Sequence, residues 1–188
     1  MPSFPIHTAD TAPEGTREVL EKAKGRYGFV PNLIGALSES PEAAEHYMAL
    51  GDALRKTTLT TEELHVVWFT VNRLHECGYC MAAHSAIAKG DKVSETVIET
   101  ARVGGTYADA RLEALRVFTE AMVIDRGWVA PEVVDAFLAA GFTRKNVFEV
   151  ILVISHKVLS NYTNHIVGTP VDAPFQPFAW EPVQIAAE

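Results

Sequence analysis

The sequence has only two cysteines among its 188 residues, Cys77 and Cys80. A disulfide between them would close a very short loop, and the entropy that a cross-link removes from the unfolded chain grows with loop length. A purely structural disulfide is therefore a poor explanation for the pair. The two thiols must instead be considered for chemistry.

The chain also lacks a long apolar run and an excess of basic residues. A membrane-spanning helix needs about 18 or more apolar residues, whereas charged and polar side chains interrupt the densest run, residues 147–159. The net charge of −8 provides none of the basic surface that nucleic acids or anionic lipids attract. Residues 1–5 show no signal-peptide pattern. We therefore expect no membrane or nucleic-acid partner and a cytoplasmic location, where idle thiols stay reduced.

No stretch of the sequence alternates apolar and polar residues as a half-buried strand does. Hydrophobic residues make up 48% and charged residues 21% of the chain, which is typical of a globular protein with a core. We predict an all-α fold of about seven or eight helices in one domain, residues 1–188. Residues 1–13 are expected to form an extended arm, and residues 169–188 a proline-rich tail whose aromatic side chains dock on a neighbouring surface.

Capping residues indicate where the helices begin. Ser40 precedes Pro41 as an N-cap, Thr60 and Glu63 form a capping box, and Thr143 can cap a long final helix. Together with the apolar spacing and the helix-ending glycines, these signals predict helices over residues 14–27, 41–56, 61–74, 80–88, 95–103, 110–126, 131–140 and 144–167.

The helix after Thr60 is apolar nearly all round, and it leads directly into the two cysteines. Such a helix is buried in a core or an interface, so Trp68 and Phe69 are most simply core residues. We expect the Cys77–Cys80 pair to lie at the start of the next buried helix.

A Cys-x-x-Cys pair can act as a redox dithiol if one thiol is acidified to the thiolate. A helix start and a nearby imidazole both lower a thiol pKa. His84 lies four residues after Cys80, on the same helical face. The position of Cys77 nearer the helix start makes it a candidate for the more acidic thiol by this argument alone.

The same residues allow a zinc site as an alternative. Cys77, Cys80 and His84 supply three ligands, and His65 or His75 could supply a fourth. The sequence has no second Cys-x-x-Cys and no paired histidines at zinc-finger spacing, so we favour the redox interpretation and expect no metal.

The run from Val71 to Ser85, VNRLHECGYCMAAHS, follows Glu63-Leu64 and resembles the core of the alkylhydroperoxidase D / carboxymuconolactone decarboxylase family. The redox-active members of that family carry Cys-x-x-Cys-x-x-x-His. The stretches Gly28–Leu33 and Ser160–Ile166 resemble its peroxidase-related branch. The resemblance covers roughly residues 25–182.

This resemblance implies a helical bundle that assembles into homo-oligomers, often trimers or hexamers. It implies an oxidoreductase that reduces hydroperoxides, in which Cys80 attacks the peroxide and becomes a sulfenic acid. Cys77 then resolves it to a disulfide, and His84 belongs to a proton relay. No bound cofactor is implied, but a dihydrolipoyl group or a thioredoxin-like protein must re-reduce the disulfide.

The sequence departs from the family pattern twelve residues before the first cysteine, where a relay glutamate is usual and His65 stands here. An imidazole can pass protons, but it provides no fixed negative charge. Glu76 is a candidate substitute, and Glu63 is a further relay or pocket candidate although it already serves as a cap. Tyr79 occupies the slot between the cysteines, where it is expected to donate a hydrogen bond or to pack.

Two further functions remain open. A carboxymuconolactone decarboxylase-like lyase would not depend on the dithiol, so the presence of both cysteines argues against it. A non-catalytic oligomer, either zinc-binding or redox-sensing, is the other alternative. It remains open because, without the relay glutamate, the dithiol could react too slowly for catalysis. Several polar residues receive structural interpretations. They are the core or interface histidines His156 and His165, the cavity-lining or helix-capping Asn161 and Asn164, and the surface or interface charges Arg73 and Arg102.

Overall fold

The computed structural model describes residues 4–182, so residues 1–3 of the predicted arm and 183–188 of the predicted tail lie outside the described part. The described chain forms nine α-helices and one 3₁₀ helix and contains no strand, which confirms the predicted all-α fold. The helices are α1 Arg17–Tyr27, α2 Asn32–Leu37, α3 Pro41–Leu54, α4 Thr61–Leu74, α5 Gly78–Gly90, α6 Glu95–Val103, α7 Ala110–Ile124, α8 Pro131–Ala139, α9 Arg144–Val167 and the 3₁₀ helix Ala173–Phe178. None of these helices is long and apolar enough to cross a membrane.

The predicted capping residues begin the helices that carry most of the fold. The Ser40 side chain accepts a hydrogen bond from the backbone N–H of Ala43, and Pro41 is the first residue of α3. Thr60 forms the expected capping box at α4. Thr143 forms a second capping box at α9. Each cap satisfies backbone N–H groups that have no partner inside the helix.

Two elements were not predicted. Helix α2 follows Pro31 where only a turn was expected, because all of its residues after Asn32 are buried and it shows no polar face. The 3₁₀ helix in the tail likewise has no helical period. Several predicted boundaries shift by two residues, and the start of α1 shifts by three, since Gly15 adopts a φ of +96° and α1 begins only at Arg17 rather than Glu14.

Helix α4 lies at the centre of the bundle, where it packs against α5, α6, α7 and α9. Its residues Val66, Val67, Phe69 and Val71 are fully buried, which explains why the sequence of this helix is apolar nearly all round. This burial fixes the position of the turn between α4 and α5, which leads into the two cysteines.

The C-terminal tail packs along α5. Phe175 is buried in the apolar cluster that surrounds the two cysteines. Trp180 Nε1 donates a hydrogen bond to the Arg102 carbonyl at 2.9 Å, and the Arg102 guanidinium donates to the carbonyls of Phe178 and Ala179. Arg102, expected to be a surface or interface charge, therefore fastens the tail over the dithiol.

Candidate active site

The turn between α4 and α5 places both cysteines in the interior of the bundle. The backbone N–H of Cys77 donates to the Asn72 carbonyl at 2.9 Å, and Glu76 turns the chain with a φ of +53°. Cys77 is the N-cap of α5, and Cys80 lies in its first turn. Both are 1% exposed. The pair therefore lies where the unpaired N–H groups of a helix favour negative charge.

Helix α9 supplies the polar side chains that contact the sulfurs. Asn164 Nδ2 donates to Cys80 Sγ at 3.2 Å and lies 3.8 Å from Cys77 Sγ. Ser160 Oγ lies 3.8 Å from Cys80 Sγ. Of the two asparagines expected near a cavity or a helix end, Asn164 contacts the dithiol. Asn161 instead donates to the Asn72 side chain at 3.0 Å.

The two thiols have opposite acidities. Burial alone would raise the pKa of Cys80, but a hydrogen bond from Cys77, the charge of Lys157 and a hydrogen bond from Ser160 lower it to about 5. The hydrogen bond to Cys80 and burial both raise the pKa of Cys77. Cys80 is therefore the thiolate of the pair. Proximity to the helix start alone predicts the lower pKa for Cys77. Cys77 instead acts as the hydrogen-bond donor to Cys80.

A buried lysine that the sequence analysis did not select lies beside His84. Lys157 is 1% exposed, and its Nζ lies 2.9 Å from His84 Nε2. Burial and the charge of Lys157 hold the pKa of His84 well below its usual value, so the imidazole is neutral. Because a lysine has no acceptor, His84 Nε2 accepts this bond and the ring proton is assigned to Nδ1. That atom is buried and has no partner among the described residues.

His65 lies on the other side of His84, with an aspartate behind it. The His65 side chain is fully buried, and its Nε2 lies 3.0 Å from Asp91 Oδ2. Its ring centroid is 6.2 Å from that of His84. Trp68 packs against both imidazoles, with centroid separations of 5.0 Å to His65 and 4.8 Å to His84. Asp91 thus provides the carboxylate for which Glu76 was the predicted candidate. Trp68, predicted to be a core residue, lines the cavity beside the two histidines.

The remaining candidates lie away from the sulfurs. Glu76 is exposed, so it does not replace the relay glutamate. Glu63 forms the cap of α4 and an ion pair with Arg111 at 2.7 Å. The Tyr79 hydroxyl donates to Asp172 Oδ2 at 2.5 Å and accepts from the Leu33 N–H at 3.3 Å. Tyr79 therefore joins α5 to α2 and the tail, and burial followed by its bond to Asp172 raises its pKa.

The other histidines do not complete a metal site. His75 Nδ1 pairs with Asn161 Oδ1 at 2.9 Å, and His165 is exposed. His156 stacks on Tyr47 with ring centroids 4.3 Å apart. Within residues 4–182, no three His, Cys, Asp or Glu side chains are arranged to hold a metal ion. The geometry of the described residues therefore gives the zinc alternative no support.

Two adjoining cavities lead to the dithiol. The larger has a volume of about 280 Å³, and the smaller, of about 40 Å³, is lined by Cys80 and Lys157. Tyr27, Tyr47, His84 and Ile87 line both. A small molecule in the larger cavity can therefore direct one end past His84 to the Cys80 sulfur.

Residues 41–120 match the sequence model of the carboxymuconolactone decarboxylase family. The similarity to that family therefore covers a little under half of the chain. The matched segment runs from α3 into α7 and carries both cysteines, His65, His84 and Asp91. The α9 residues that contact the sulfurs lie outside it. No curated protein matches the chain by sequence.

Solved structures share the fold of this chain over nearly its whole length. One is a peroxidase-related protein from Ralstonia eutropha JMP134, described as an alkylhydroperoxidase AhpD core, with a TM-score of 0.80, 21% identity and coverage of 92% of this chain and 93% of that one. A peroxidase-related protein from Silicibacter sp. TM1040 gives a TM-score of 0.78 at 18% identity, covering 92% and 91%.

A third similar structure is the C82A variant of the debrominase Bmp8 in complex with 2,3,4-tribromopyrrole. It has a TM-score of 0.78 and 16% identity, and the match covers 95% of each chain. At these identities the likeness establishes the AhpD-like helical fold, and the chemistry must be argued from the side chains of this chain.

Proposed function

We propose that the protein is a thiol-dependent peroxidase that reduces hydroperoxides through a Cys77/Cys80 dithiol–disulfide cycle. The observation that carries this proposal is the placement of Cys80, which accepts a hydrogen bond from Asn164 at 3.2 Å and lines a cavity together with Lys157. The hydrogen bonds around Cys80 and the charge of Lys157 lower its pKa to about 5. A thiolate is the nucleophilic form of cysteine, and this one lies beside a cavity with a second thiol next to it. A lyase that does not use the dithiol would leave this acidification without a purpose.

In the first step the Cys80 thiolate attacks the terminal oxygen of the hydroperoxide. The S–O bond forms as the O–O bond breaks, so the sulfur is oxidised by two electrons and Cys80 becomes a sulfenic acid. The leaving alkoxide takes the Nδ1 proton of His84 while Nε2 of the ring takes a proton from the Lys157 ammonium, and the alkoxide departs as the alcohol. Lys157, 2.9 Å from His84 Nε2, stabilises the charge that moves through the ring.

In the second step Cys77 loses its proton and attacks the Cys80 sulfenic acid. The disulfide forms, and hydroxide leaves and is protonated to water. An external dithiol, either a dihydrolipoyl group or a thioredoxin-like protein, then reduces the disulfide by thiol–disulfide exchange. The cycle needs no bound cofactor.

Protons return to the site along His65 and Asp91. The Asp91 side chain is 45% exposed while that of His65 is fully buried, so this pair links solvent to the interior. The 6.2 Å between the ring centroids of His65 and His84 suits transfer through one bridging water. In this scheme an aspartate-backed histidine performs the task of the usual relay glutamate.

The proposal is tested by peroxide turnover with dihydrolipoamide or thioredoxin as reductant and cumene hydroperoxide as substrate. We expect turnover in the unmodified protein, none in Cys80→Ser, and a loss of about 10²–10⁴-fold in His84→Asn, the range for removing a positioned acid or base. The exposed His165 offers a matched control, and His165→Asn should leave the rate unchanged. Turnover that survives Cys80→Ser, or its absence with both reductants, would refute the proposal.

A further inference from the structure

The larger cavity contains charged groups that the dithiol cycle does not use. Arg26 from α1 and Arg55 from the end of α3 both line it. Asp52 forms ion pairs with Arg26 and with Lys22. Arg55 is exposed and has no ion-pair partner within residues 4–182. The lining of the cavity therefore includes Arg55, which has no ion-pair partner among the described residues, and Arg26, which is paired with Asp52.

The wall of this cavity also carries polar ring atoms without partners. Trp68 Nε1, His84 Nδ1 and His156 Nδ1 are all buried without a hydrogen-bond partner among the described residues, and all three residues line the cavity. Unpaired buried polar atoms are costly and uncommon in folded proteins. The residues that line this cavity are therefore polar as well as aromatic.

The cavity exists because α3 carries a glycine where it faces α1 and α9. A Cβ built at Gly51 would lie 3.7 Å from His156 Nε2 and 3.8 Å from Arg26 Nη1, so a larger side chain would occupy this space. Tyr27 and Tyr47 stand on the path from here to Cys80. Their rings suit a compact apolar or aromatic body.

One carboxylate among the described lining residues opposes an anionic ligand. Asp91 lines the same cavity, but it is the C-cap of α5 and pairs with His65 at 3.0 Å. The two arginines come from other elements, α1 and the end of α3. Because Asp91 is engaged by His65, an anionic group can bind at Arg55 and Arg26, with the rest of the ligand directed along His84 to the dithiol.

We propose that the substrate of this site is a compact organic hydroperoxide that bears a carboxylate, with the carboxylate held by Arg55 and Arg26 and the hydroperoxide directed to Cys80. The inference rests on the proposed peroxidase function and names its substrate class. The volume of about 280 Å³ lies near the lower end of small-molecule pockets, which favours a body of the size of one aromatic ring.

Binding of unreactive product analogues tests the substrate class without requiring turnover. Isothermal titration calorimetry on Cys80→Ser protein compares 4-(2-hydroxypropan-2-yl)benzoate with the uncharged 2-phenylpropan-2-ol. We expect the carboxylate to bind about tenfold more tightly, and Arg55→Gln to remove about fivefold to tenfold of that preference, as for one charge-assisted hydrogen bond at a partly exposed site. Arg144→Gln, at the far start of α9, is the charge-matched control and should retain it.

A second variant pair tests the cavity itself. Gly51→Leu should abolish binding of both analogues by filling the cavity, whereas Gly25→Leu should not, since nothing lies within 4 Å of a Cβ at that helical glycine. Equal affinity for the two analogues, or a carboxylate preference that survives Arg55→Gln, would overturn the inference.

The two proposals fail in distinguishable ways. If cumene hydroperoxide oxidises the dithiol while the carboxylate preference is absent, the substrate class is wrong and the peroxidase function stands. If the carboxylate binds as expected but no hydroperoxide, with or without a carboxylate, oxidises Cys80, the peroxidase function is wrong.

Discussion

Replacing Lys157 by methionine should raise the pKa of Cys80 while leaving the fold intact. Lys157 is 1% exposed, and no carboxylate within residues 4–182 pairs with it. Methionine has a similar length and no charge, and exchanging a buried charge for an apolar residue of similar volume is often neutral or stabilising. The variant therefore removes the charge near Cys80 with little change in packing.

The size of the effect follows from the distance and the surroundings of the charge. Lys157 and Cys80 line the same small cavity, and an opposite charge within about 4–6 Å of an acid lowers its pKa by about 1–3 units. The middle of this range is about two pKa units, or ~3 kcal/mol. We expect the pKa of Cys80 to rise from about 5 to about 7. The charge of Lys157 also lowers the pKa of His84, so His84 can become protonated in the variant and hide part of the rise. The double variant with His84→Asn should show it fully.

The assay is the rate at which iodoacetamide alkylates Cys80, mapped by mass spectrometry between pH 4 and pH 9. At pH 6 the thiolate fraction should fall from about nine-tenths to about one-tenth, and the rate by about ninefold. Lys145→Met removes an exposed charge from the same helix and should leave the midpoint unchanged. A midpoint that stays near 5 in folded Lys157→Met and in the double variant would refute the role of Lys157.

Three further predictions concern the relay, acid stability and a helix cap. Asp91→Asn should lower turnover at pH 7 by about tenfold without changing the alkylation rate of Cys80; an equal loss in both would contradict the relay. Burial holds the pKa values of His84 and His156 well below their usual range, so the unfolded chain binds protons more readily below about pH 6.5. The free energy of unfolding should then decrease as the pH is lowered below about 6.5, by up to ~1.4 kcal/mol per pH unit for each histidine. Urea titrations that show no decrease between pH 6.5 and pH 5 would contradict the neutral state of the two histidines. Thr60→Ala should cost about 1 kcal/mol in the same titration, and no loss would show that the cap of α4 is dispensable.

Most helix boundaries could be predicted because they depend on local chemistry. The caps at Ser40, Thr60 and Thr143 act within a single turn. The same rules failed at α2, whose short buried sequence carries neither a cap hydrogen bond nor a polar face. The nine α-helices and the 3₁₀ helix found within residues 4–182 therefore exceed the seven or eight expected.

The candidate site could be predicted from the sequence only in part, because some of its side chains come from a helix that is distant in the sequence. The spacing of Cys77, Cys80 and His84 is local to α5 and visible in sequence. Lys157 and Asn164 reach that helix from α9, and the register between two packed helices follows from the whole fold. A charged Lys157 within an otherwise apolar run was nevertheless a usable signal, since lysine is almost never fully buried without a partner.

Asp91 could have been found from the sequence. It lies seven residues after His84, two turns along the same face of the helix, where its carboxylate can reach His65. The relative acidity of the two thiols could not be predicted from the sequence, because the hydrogen bond from Cys77 to Cys80 and the nearby charge of Lys157 depend on tertiary packing.

The most direct test of the central claim is the identity of the sulfur that attacks the peroxide. One equivalent of cumene hydroperoxide is added to Cys77→Ser protein in the presence of dimedone, and the adduct is mapped by mass spectrometry. We predict a single dimedone adduct on Cys80, and in the unmodified protein a loss of two hydrogens that maps to a Cys77–Cys80 disulfide. Thiols that remain free in both proteins would contradict the account, as would an adduct on Cys77 in Cys80→Ser with Cys80 unmodified in Cys77→Ser.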